Sequence, residues 1–375
     1  MDWRDRERRD YLTVEMVHPT SFNHLGWLKG VTGATVTEDY ESETRIAATV
    51  TTVAPESYID LALLRIHHEC RFSNGETWSE CIGTFFALRS DDEWVSGVHQ
   101  TTFDCKSMLY GMEQDIAPKV LTIKKGGKTK AAFETICKEC KRPRRWVSAN
   151  DKAYGSNTDF DAGQSYLERL HDLAEKSDNR IDVTTDGVVT IQKLVKPAKR
   201  SPVMKLAWNS PLVLASGISM STDDMEVTSR AIVTWKHSYK TKVRDGVYKS
   251  NSGTHKKGDP KYKESTAHKD VTAWADVPSG NRAHIDRRGF RVASWHSEDD
   301  LGDSQSVAQK KAKEYLAEED EPNVVWTVPC RWFDIHEGQV ISWLPPDATK
   351  YRNCLVESLE RDLWHYTQTL TLKEV

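Results

Sequence analysis

The clearest pattern of apolar and polar positions lies between residues 161 and 194. Ser165 followed by Glu168 has the spacing of a capping box, in which each side chain bonds the backbone amide of the other residue. The pattern therefore predicts a helix that begins after Ser165 and ends at Asp178 and Asn179. The apolar residues that recur at the spacing of one helical face are Tyr166, Leu167, Leu170, Leu173 and Ala174.

A β-hairpin is predicted directly after this helix. Ile181 and Val183 alternate with polar neighbours, and apolar residues return between Val188 and Ile191. Asp186-Gly187 lies between the two runs and is a typical tight turn, because glycine accepts a positive φ angle. The whole stretch carries no exposed nucleophile, phosphate loop or ligand cluster, so we interpret it as a structural element.

Residues 11 to 111 contain β-rich runs separated by turn formers such as Asn74-Gly75. Strands at this spacing predict a small barrel or sandwich. Residues 58–70 could instead form a short helix, because Leu61, Leu63 and Leu64 fit both periods. The predicted strands cover residues 11–17, 33–36, 44–52, 59–68, 84–88 and 97–103.

A small α+β unit follows the first β-rich region. Residues 117–123 are predicted as a strand, and a helix follows from Thr129 to about Lys141 with Ala132, Phe133 and Ile136 on one face. The unit then includes the helix and hairpin described above. It ends at a basic, turn-rich linker between Pro197 and Pro202.

A second β-rich region is split along the chain. Strands are predicted within residues 203–236 and again at 324–333, 339–344, 354–359 and 364–372. Residues 240–270 are rich in Lys and Arg and poor in apolar residues, which predicts a long solvated excursion. A helix is predicted from Ser304, with an apolar face made by Ala308, Ala312, Tyr315 and Leu316.

The predicted fold class is therefore α+β and β-rich, with two small antiparallel β-barrels, an intervening small α+β domain and an inserted domain. A chain of 375 residues suits several domains of roughly 100 to 150 residues each. The first barrel covers residues 1–115 and the α+β domain 116–200. The second barrel combines 201–236 with 322–375, and the inserted domain at 237–321 carries the Lys-rich loop and one helix.

Composition excludes several classes of function. The net charge of −4 and the isoelectric point near 6.4 give no overall field for nucleic acid or anionic membranes. The densely charged N-terminus lacks the apolar core of a signal peptide, and no apolar run reaches the ~18 residues of a membrane span. We therefore expect synthesis in a cytosol, no membrane span and no sequence-specific nucleic-acid partner. The seven scattered Cys are expected to be reduced and mostly buried.

The motifs that resemble catalytic or cofactor sites fail on spacing. Gly127-Lys128-Thr129 follows a strand, but a phosphate loop needs a glycine where Thr122 stands. Cys137 and Cys140 form one isolated CxxC on an apolar helix face, which favours buried thiols over a metal. The sequence therefore predicts no nucleotide cofactor at the first motif and no metal at the second.

The remaining polar clusters have structural interpretations. His67-His68-Glu69-Cys70 offers potential metal ligands, but adjacent residues of a strand point to opposite faces, which argues against a shared metal. Asp334-Ile-His336-Glu337-Gly lacks the second His of a zinc-protease motif, and Gly338 with Gln339 is predicted to be a turn into the next strand. The acidic pairs, Asp91-Asp92, Asp223-Asp224 and Asp299-Asp300, are predicted in polar turns. No catalytic residue, cofactor or metal is predicted.

The Lys-rich excursion supplies the only candidate contact residues, namely Lys256, Lys257, Lys261 and Lys263. Such a loop could contact phosphate or an acidic protein surface. Aromatic residues that could stack on bases are sparse there, so a solvated loop is the favoured interpretation.

Four passages, in their order along the chain, resemble the baseplate-hub or tail-tip-hub proteins of tailed bacteriophages, especially minor tail proteins of phages with Gram-positive, actinobacteria-like hosts. ETWSECIGTFFALRSDDEW resembles the late strands of the first barrel, and VLTIKKGGKTKAAFETICKEC the opening of the second domain. GQSYLERLHDLAEKSDNRIDVTTDGVVTI resembles that domain's helix and hairpin. SVAQKKAKEYLAEED with FDIHEGQVISW resembles the helix and strands before the closing barrel strands.

The resemblance implies a structural virion protein at the tail tip. Such hubs are homotrimers whose two barrels per subunit make a ring of six, which adapts a sixfold tail tube or distal tail protein to a threefold central fibre or spike. The tape-measure protein is a further expected partner. Two alternatives are a tail-associated cell-wall or polysaccharide hydrolase and a host-glycan-binding module. The missing C-terminal lysin domain argues against the hydrolase.

Overall fold

The computed structural model describes residues 2–5, 7–53, 62–222, 227–244, 262–281, 283–298, 302–319 and 324–375. The side chains of 89, 90, 240–244, 262–266, 318 and 319 are outside this description. The chain divides into two compact units. The first unit combines Met1–Met220 with Val325–Val375, and the second unit is Ser221–Val324.

The described chain forms twenty-one strands and five helices. The strands are β1 Arg9–Val17, β2 His24–Trp27, β3 Val31–Asp39, β4 Ile46–Val53, β5 Leu63–Arg71, β6 Thr77–Val95, β7 Val98–Ser107, β8 Leu121–Ile123, β9 Arg144–Val147, β10 Thr158–Phe160, β11 Asn179–Val183, β12 Val189–Lys193, β13 Lys205–Ala207, β14 Ser219–Thr222, β15 Arg230–Arg244, β16 Tyr262–Asp276, β17 Ala293–Ser297, β18 Val324–Arg331, β19 Val340–Leu344, β20 Arg352–Asp362 and β21 Thr367–Glu374. The helices are α1 Tyr110–Glu113, α2 Thr129–Glu139, α3 Tyr166–Glu175, α4 Ile285–Arg288 and α5 Gln305–Glu319.

One large sheet runs through the first unit in the order β18-β21-β20-β3-β4-β7-β6-β5-β1-β2, with β19 beside β20 and β13 beside β19. The antiparallel pairing of β20 with β3 places Leu359 opposite Glu38 and joins the two β-rich regions. The β-rich α+β class is confirmed. The two separate barrels are not observed, because no pairing between the described strands closes either β-rich region into a barrel. Instead, β3 and β20 pair with each other, so each strand supplies the hydrogen-bond partners that the other would lack at a sheet edge.

The two β-rich regions also share side-chain packing. The core between the first strands contains Phe85, Phe103 and Leu64, and it also contains Trp332 and Leu363 from the C-terminal region. All five side chains are buried. Residues 1–115 and 322–375 therefore do not have independent hydrophobic cores, and they stabilise each other.

The α+β part of the first unit agrees with its sequence pattern. Ser165 Oγ accepts a hydrogen bond from the Glu168 amide at 3.1 Å, and Glu168 Oε2 accepts one from the Ser165 amide at 2.8 Å, so the capping box is present. The β11–β12 hairpin turns at Gly187 with φ of 83°. Helices α2 and α3 bury their predicted faces against this hairpin.

The second unit corrects two predictions. Strand β15 pairs with β16 over 15 residues, from Arg230 opposite Asp276 to Arg244 opposite Tyr262. The predicted domain boundary at residue 236 therefore falls inside one strand and is wrong, because a continuous ladder holds β15 together. The described parts of the predicted solvated excursion at 240–270, namely 240–244 and 262–270, are also strand. Residues 245–261 lie outside the described residues.

Helix α5 covers one face of this hairpin as predicted. Ala308, Ala312 and Leu316 are buried against Trp235 and Ala273. β17 adds to β15 in parallel. Small alanines let the helix approach the sheet closely, so the second unit has its own hydrophobic core.

Two further expectations concern the whole described chain. All seven Cys are free thiols, six of them buried and Cys81 half-buried, as predicted. Among the residues that the structure describes, no helix has both the length and the apolar character needed to cross a membrane.

Ser165→Ala should destabilise the first unit by about 1 kcal/mol, because the Glu168 amide in the first turn of α3 loses the Ser165 hydroxyl that accepts its hydrogen bond. The urea midpoint of unfolding, followed by far-ultraviolet circular dichroism, measures this loss. Lys128→Ala is the matched control, since Lys128 has the same position before α2 and makes no capping bond with its side chain. An equal loss in both variants would contradict the importance of the capping box.

Candidate functional site

Three distant parts of the first unit meet at a group of charged side chains, which we call the charged junction. It lies where β3, β6, β11 and β20 approach the turn that follows β18. The segment includes Asp334 to Gly338, and the turn predicted at Gly338 and Gln339 is observed at Glu337 and Gly338. The junction consists of Glu38, Glu80, Arg180, Asp334, His336, Glu337 and Arg361.

A buried ion pair lies at the centre of the junction. Arg361 Nη1 lies 2.6 Å from Glu38 Oε1, and neither side chain is more than 6% exposed. The guanidinium also donates to the Ile335 carbonyl at 2.5 Å. Burial opposes ionisation of Glu38, but Arg361 and His336 outweigh it and lower the pKa of Glu38. The pair therefore remains charged inside the protein and connects β3 to β20.

His336 is surrounded by carboxylates. Its Nδ1 lies 3.3 Å from Glu38 Oε2, and its Nε2 lies 3.3 Å from Asp334 Oδ1 and 3.5 Å from Glu80 Oε1. Burial alone would lower the pKa of His336. The hydrogen bonds to Asp334, Glu38 and Glu80 overcome this effect and raise the pKa to about 11.

This geometry is suited to holding segments together. An imidazole that keeps its proton at neutral pH cannot accept one as a general base. The ligand atoms of Glu80, Asp334 and His336 lie within 4.8 Å of one another, as in a cation site. However, the proton on Nε2 occupies the position that a cation would need.

Tyr40 extends the junction toward the α+β part. The guanidinium of Arg180 lies 4.1 Å from the centre of the Tyr40 ring and 2.5 Å from Glu337 Oε1. Arg200 donates to the Tyr40 hydroxyl at 2.9 Å and also to the Gly338 carbonyl. The predicted basic linker therefore packs against the sheet instead of forming a free connection. Arginine over an aromatic face gains both cation–π attraction and packing.

Gly338 is required at the junction for two reasons. Its φ angle is 73°, which favours glycine. A Cβ atom at this position would also lie 2.9 Å from Cδ2 of Tyr40, which real Cβ contacts do not tolerate. The turn therefore approaches Tyr40 only because residue 338 has no side chain.

A cavity of about 430 Å³ opens beside the junction. Its walls carry charges of both signs, with Arg45 and Arg145 facing Glu38 and Asp182. The remaining lining residues are Ile46, Ile82, Gly83, Thr84, Val147, Val183, Thr184, Thr185, Thr190, Gln192, His336 and Glu337. The mixed lining shows no preference for an anion or a cation.

Most of the candidate contact residues of the sequence fall outside the part of the chain that the structure describes. Lys256, Lys257 and Lys261 lie outside the described residues, and Lys263 lies on β16 with its side chain undescribed. Asp91 and Asp92 lie in β6 and not in a turn, which corrects that prediction, while the other two acidic pairs lie outside the description.

The predicted placement of the isolated cysteine and histidine motifs is confirmed. Burial raises the pKa of Cys137, and it raises the pKa of Cys140 to about 11, as expected for core thiols. His67 and His68 point to opposite faces of β5, where His67 contacts Glu15 and His68 contacts Asp10.

Sequence reasoning missed the residues of the charged junction. His336 and Glu38 are 298 positions apart, so no local pattern connects them. One signal was present, because Leu359, Arg361 and Leu363 alternate in a strand pattern. An arginine between two inward-pointing leucines must be buried with a partner.

Comparison with solved structures finds many similar chains, among them the following three. A tail protein from Neisseria meningitidis MC58 superposes with a TM-score of 0.62 at 11% identity, covering 97% of this chain and 96% of that one. The 43 kDa tail protein of prophage MuSo2 from Shewanella oneidensis has a TM-score of 0.60 at 10% identity, covering 97% and 98%. Prophage tail protein gp18 from Listeria monocytogenes EGD-e has a TM-score of 0.53 at 8% identity, covering 96% and 94%.

The fold is that of phage tail proteins. The resemblance read from the four sequence passages is confirmed at this level. The three structures come from other bacteria, so they lend no support to a restriction to actinobacteria-like hosts. No family model matches the chain, and no curated protein matches it by sequence.

Gly338→Ala should destabilise the first unit by about 1–3 kcal/mol, because the positive φ angle and the contact with Tyr40 both oppose a methyl group. Denaturant unfolding measures the change. Gly75→Ala is the matched control, since its φ is 87° and a Cβ there would meet nothing within 4 Å. If the two variants lost the same stability, the close approach to Tyr40 would contribute nothing.

His336→Gln should remove a pH dependence of stability. Folding raises the pKa of His336 from 6.5 to about 11, so its stabilisation is complete below pH 6.5 and is lost as the pH rises toward 11. Between pH 6.5 and 9 the wild type should lose up to about 1.4 kcal/mol per pH unit more than the variant.

Urea midpoints at several pH values test this difference. His365→Gln is the control, because His365 is exposed and its ring contacts only Asp362 among the described ion pairs. Parallel pH profiles for the wild type and His336→Gln would show that His336 is not held protonated by its neighbours.

Proposed function

We propose that this chain is a structural protein of a phage tail tip, without catalytic activity. The observation that carries the proposal is the match over nearly the whole length of two phage tail proteins, with 96% to 98% of their chains covered. A match of this extent leaves little of the chain for an unrelated catalytic domain. The charged junction supports the same role, because it connects segments and holds its histidine in a protonated state.

We further propose that the protein is a homotrimeric hub. In this arrangement it joins a sixfold tail tube or distal tail protein to a threefold central fibre or spike, next to the tape-measure protein. The two β-rich regions of one subunit, joined through β3 and β20, would act as two neighbouring blocks of a six-block ring. Closed rotational symmetry is the usual solution for identical subunits.

The β6–β7 hairpin offers one surface for the subunit contact. Its turn at Ser96 and Gly97 leaves Trp94 74% exposed, together with Val95 and Val98. Trp94 stacks on His99 with 5.1 Å between ring centres, so the indole is held in place. Exposed aromatic and apolar side chains gathered at one position mark protein interfaces. We therefore place this hairpin tip against a neighbouring subunit.

Light scattering coupled to size exclusion tests the oligomer. The expected mass is three times the 42.7 kDa of one chain. A stable dimer at every concentration would contradict the trimeric hub. Clearing of host cell walls in a zymogram, lost on change of a single carboxylate or His, would favour the hydrolase instead.

Trp94→Ala should weaken trimer formation by about tenfold or more, as is typical of a Trp at the centre of an interface. The measurement is the trimer fraction as a function of protein concentration. Trp364→Ala is the control, because Trp364 is 47% exposed in the β20–β21 turn. Unchanged trimer formation in Trp94→Ala would show that the hairpin tip is not part of the subunit interface. It would not contradict the proposed trimeric hub.

A further inference from the structure

Three potential metal ligands meet inside the first β-rich region. The nearest atoms are Asp10 Oδ1, His68 Nε2 and Cys70 Sγ. Nε2 lies 3.1 Å from Oδ1, Sγ lies 2.6 Å from Oδ1, and Sγ lies 3.6 Å from Nε2. His68 and Cys70 are completely buried. The cluster is separate from the charged junction and contains three different donor types.

The strand register brings the three side chains together. β1 and β5 are antiparallel, with Asp10 opposite Cys70 and Leu12 opposite His68. Residues 68 and 70 are two apart on one strand and therefore share its inner face. The sequence argument against a metal at residues 67–70 was that adjacent residues face apart, which holds for His67 and His68 but not for His68 and Cys70. It did not consider a ligand from β1.

The surroundings fix the orientation of the ligands. Arg8 Nε lies 3.1 Å from Asp10 Oδ2, which leaves Oδ1 directed at His68 and Cys70. The His68 ring lies edge-on to Trp332 with centres 4.3 Å apart and stacks on Tyr366 at 5.5 Å. Ligating carboxylates and imidazoles are commonly oriented by such outer partners, and an apolar shell excludes water.

We propose that Asp10, His68 and Cys70 form a zinc-type site that fastens β1 to β5. One thiolate, one imidazole and one carboxylate are the donors that Zn²⁺ takes in proteins. With ordinary zinc–ligand bond lengths, tetrahedral ligands lie about 3.3–3.6 Å apart. The distance between His68 Nε2 and Cys70 Sγ already meets this value. Rotation of the Asp10 carboxylate lengthens the distances from Asp10 Oδ1 to His68 Nε2 and to Cys70 Sγ.

Metal binding changes the protons of the cluster in a defined way. Without metal, the Cys70 thiol and His68 Nε2–H both donate to Asp10 Oδ1. Zn²⁺ takes the thiolate and the Nε2 lone pair, so the thiol proton leaves to solvent and the ring proton moves to Nδ1. One proton is released for each metal ion bound.

The test uses the full chain produced in cobalt-supplemented minimal medium and purified without a metal-affinity column. Co²⁺ replaces Zn²⁺ and reports a bound thiolate through sulfur-to-cobalt charge-transfer absorption. The expected result is one Co²⁺ per chain by elemental analysis, with absorption of one thiolate. Cys70→Ser should abolish that absorption, and His68→Gln should lower metal retention at least tenfold.

Two matched variants identify the ligand thiol. Cys105→Ser removes another buried thiol of the same core, and Cys137→Ser removes half of the CxxC pair. Both should retain the metal and its absorption. Absence of cobalt from the wild type, or absorption that survives Cys70→Ser or disappears in Cys137→Ser, would overturn the proposal. If Cys70→Ser fails to fold, the intensity of the charge-transfer absorption in the wild type still identifies the site. The proposed site gives the intensity of one thiolate, whereas cobalt bound by Cys137 and Cys140 would give that of two.

Discussion

The pairing of β3 with β20, and the buried Glu38–Arg361 ion pair beside it, is the constraint on which the first unit depends. These two strands connect regions that are more than 300 positions apart in the sequence. Loss of one member of a buried pair costs about 3–5 kcal/mol, because the other charge is left without a partner. A slip of one residue between the strands would turn Arg361 away from Glu38, so the pair also fixes the register.

The other features of the charged junction follow from this register. Once β20 lies beside β3, the turn after β18 places His336 against Glu38, and Gly338 against Tyr40. Tyr40 in turn contacts Arg180 of β11, which belongs to the α+β part. A chain of charged and aromatic contacts therefore connects all three parts of the first unit.

Local patterns in the sequence were sufficient to predict individual helices, strands and turns. They were not sufficient to predict which distant segments pair with one another. The capping box at Ser165 and the Gly187 turn depend on neighbouring residues, and both were predicted. The partners of His336 and Arg361 come from distant strands, which a single sequence does not connect. β15 was divided wrongly at residue 236, because its outer positions carry Lys, His and Tyr that hide the alternation of a strand. The isolated-barrel prediction failed for the same reason, since edge pairing between distant strands leaves no local signal.

Immunogold labelling of intact virions, with antibodies against the purified chain, tests the central claim most directly. The account predicts gold particles at the distal end of the tail in electron micrographs, and none at the head or along the tube. Label on the head, or a labelled protein found only in the lysate and absent from purified virions, would contradict a structural role at the tail tip.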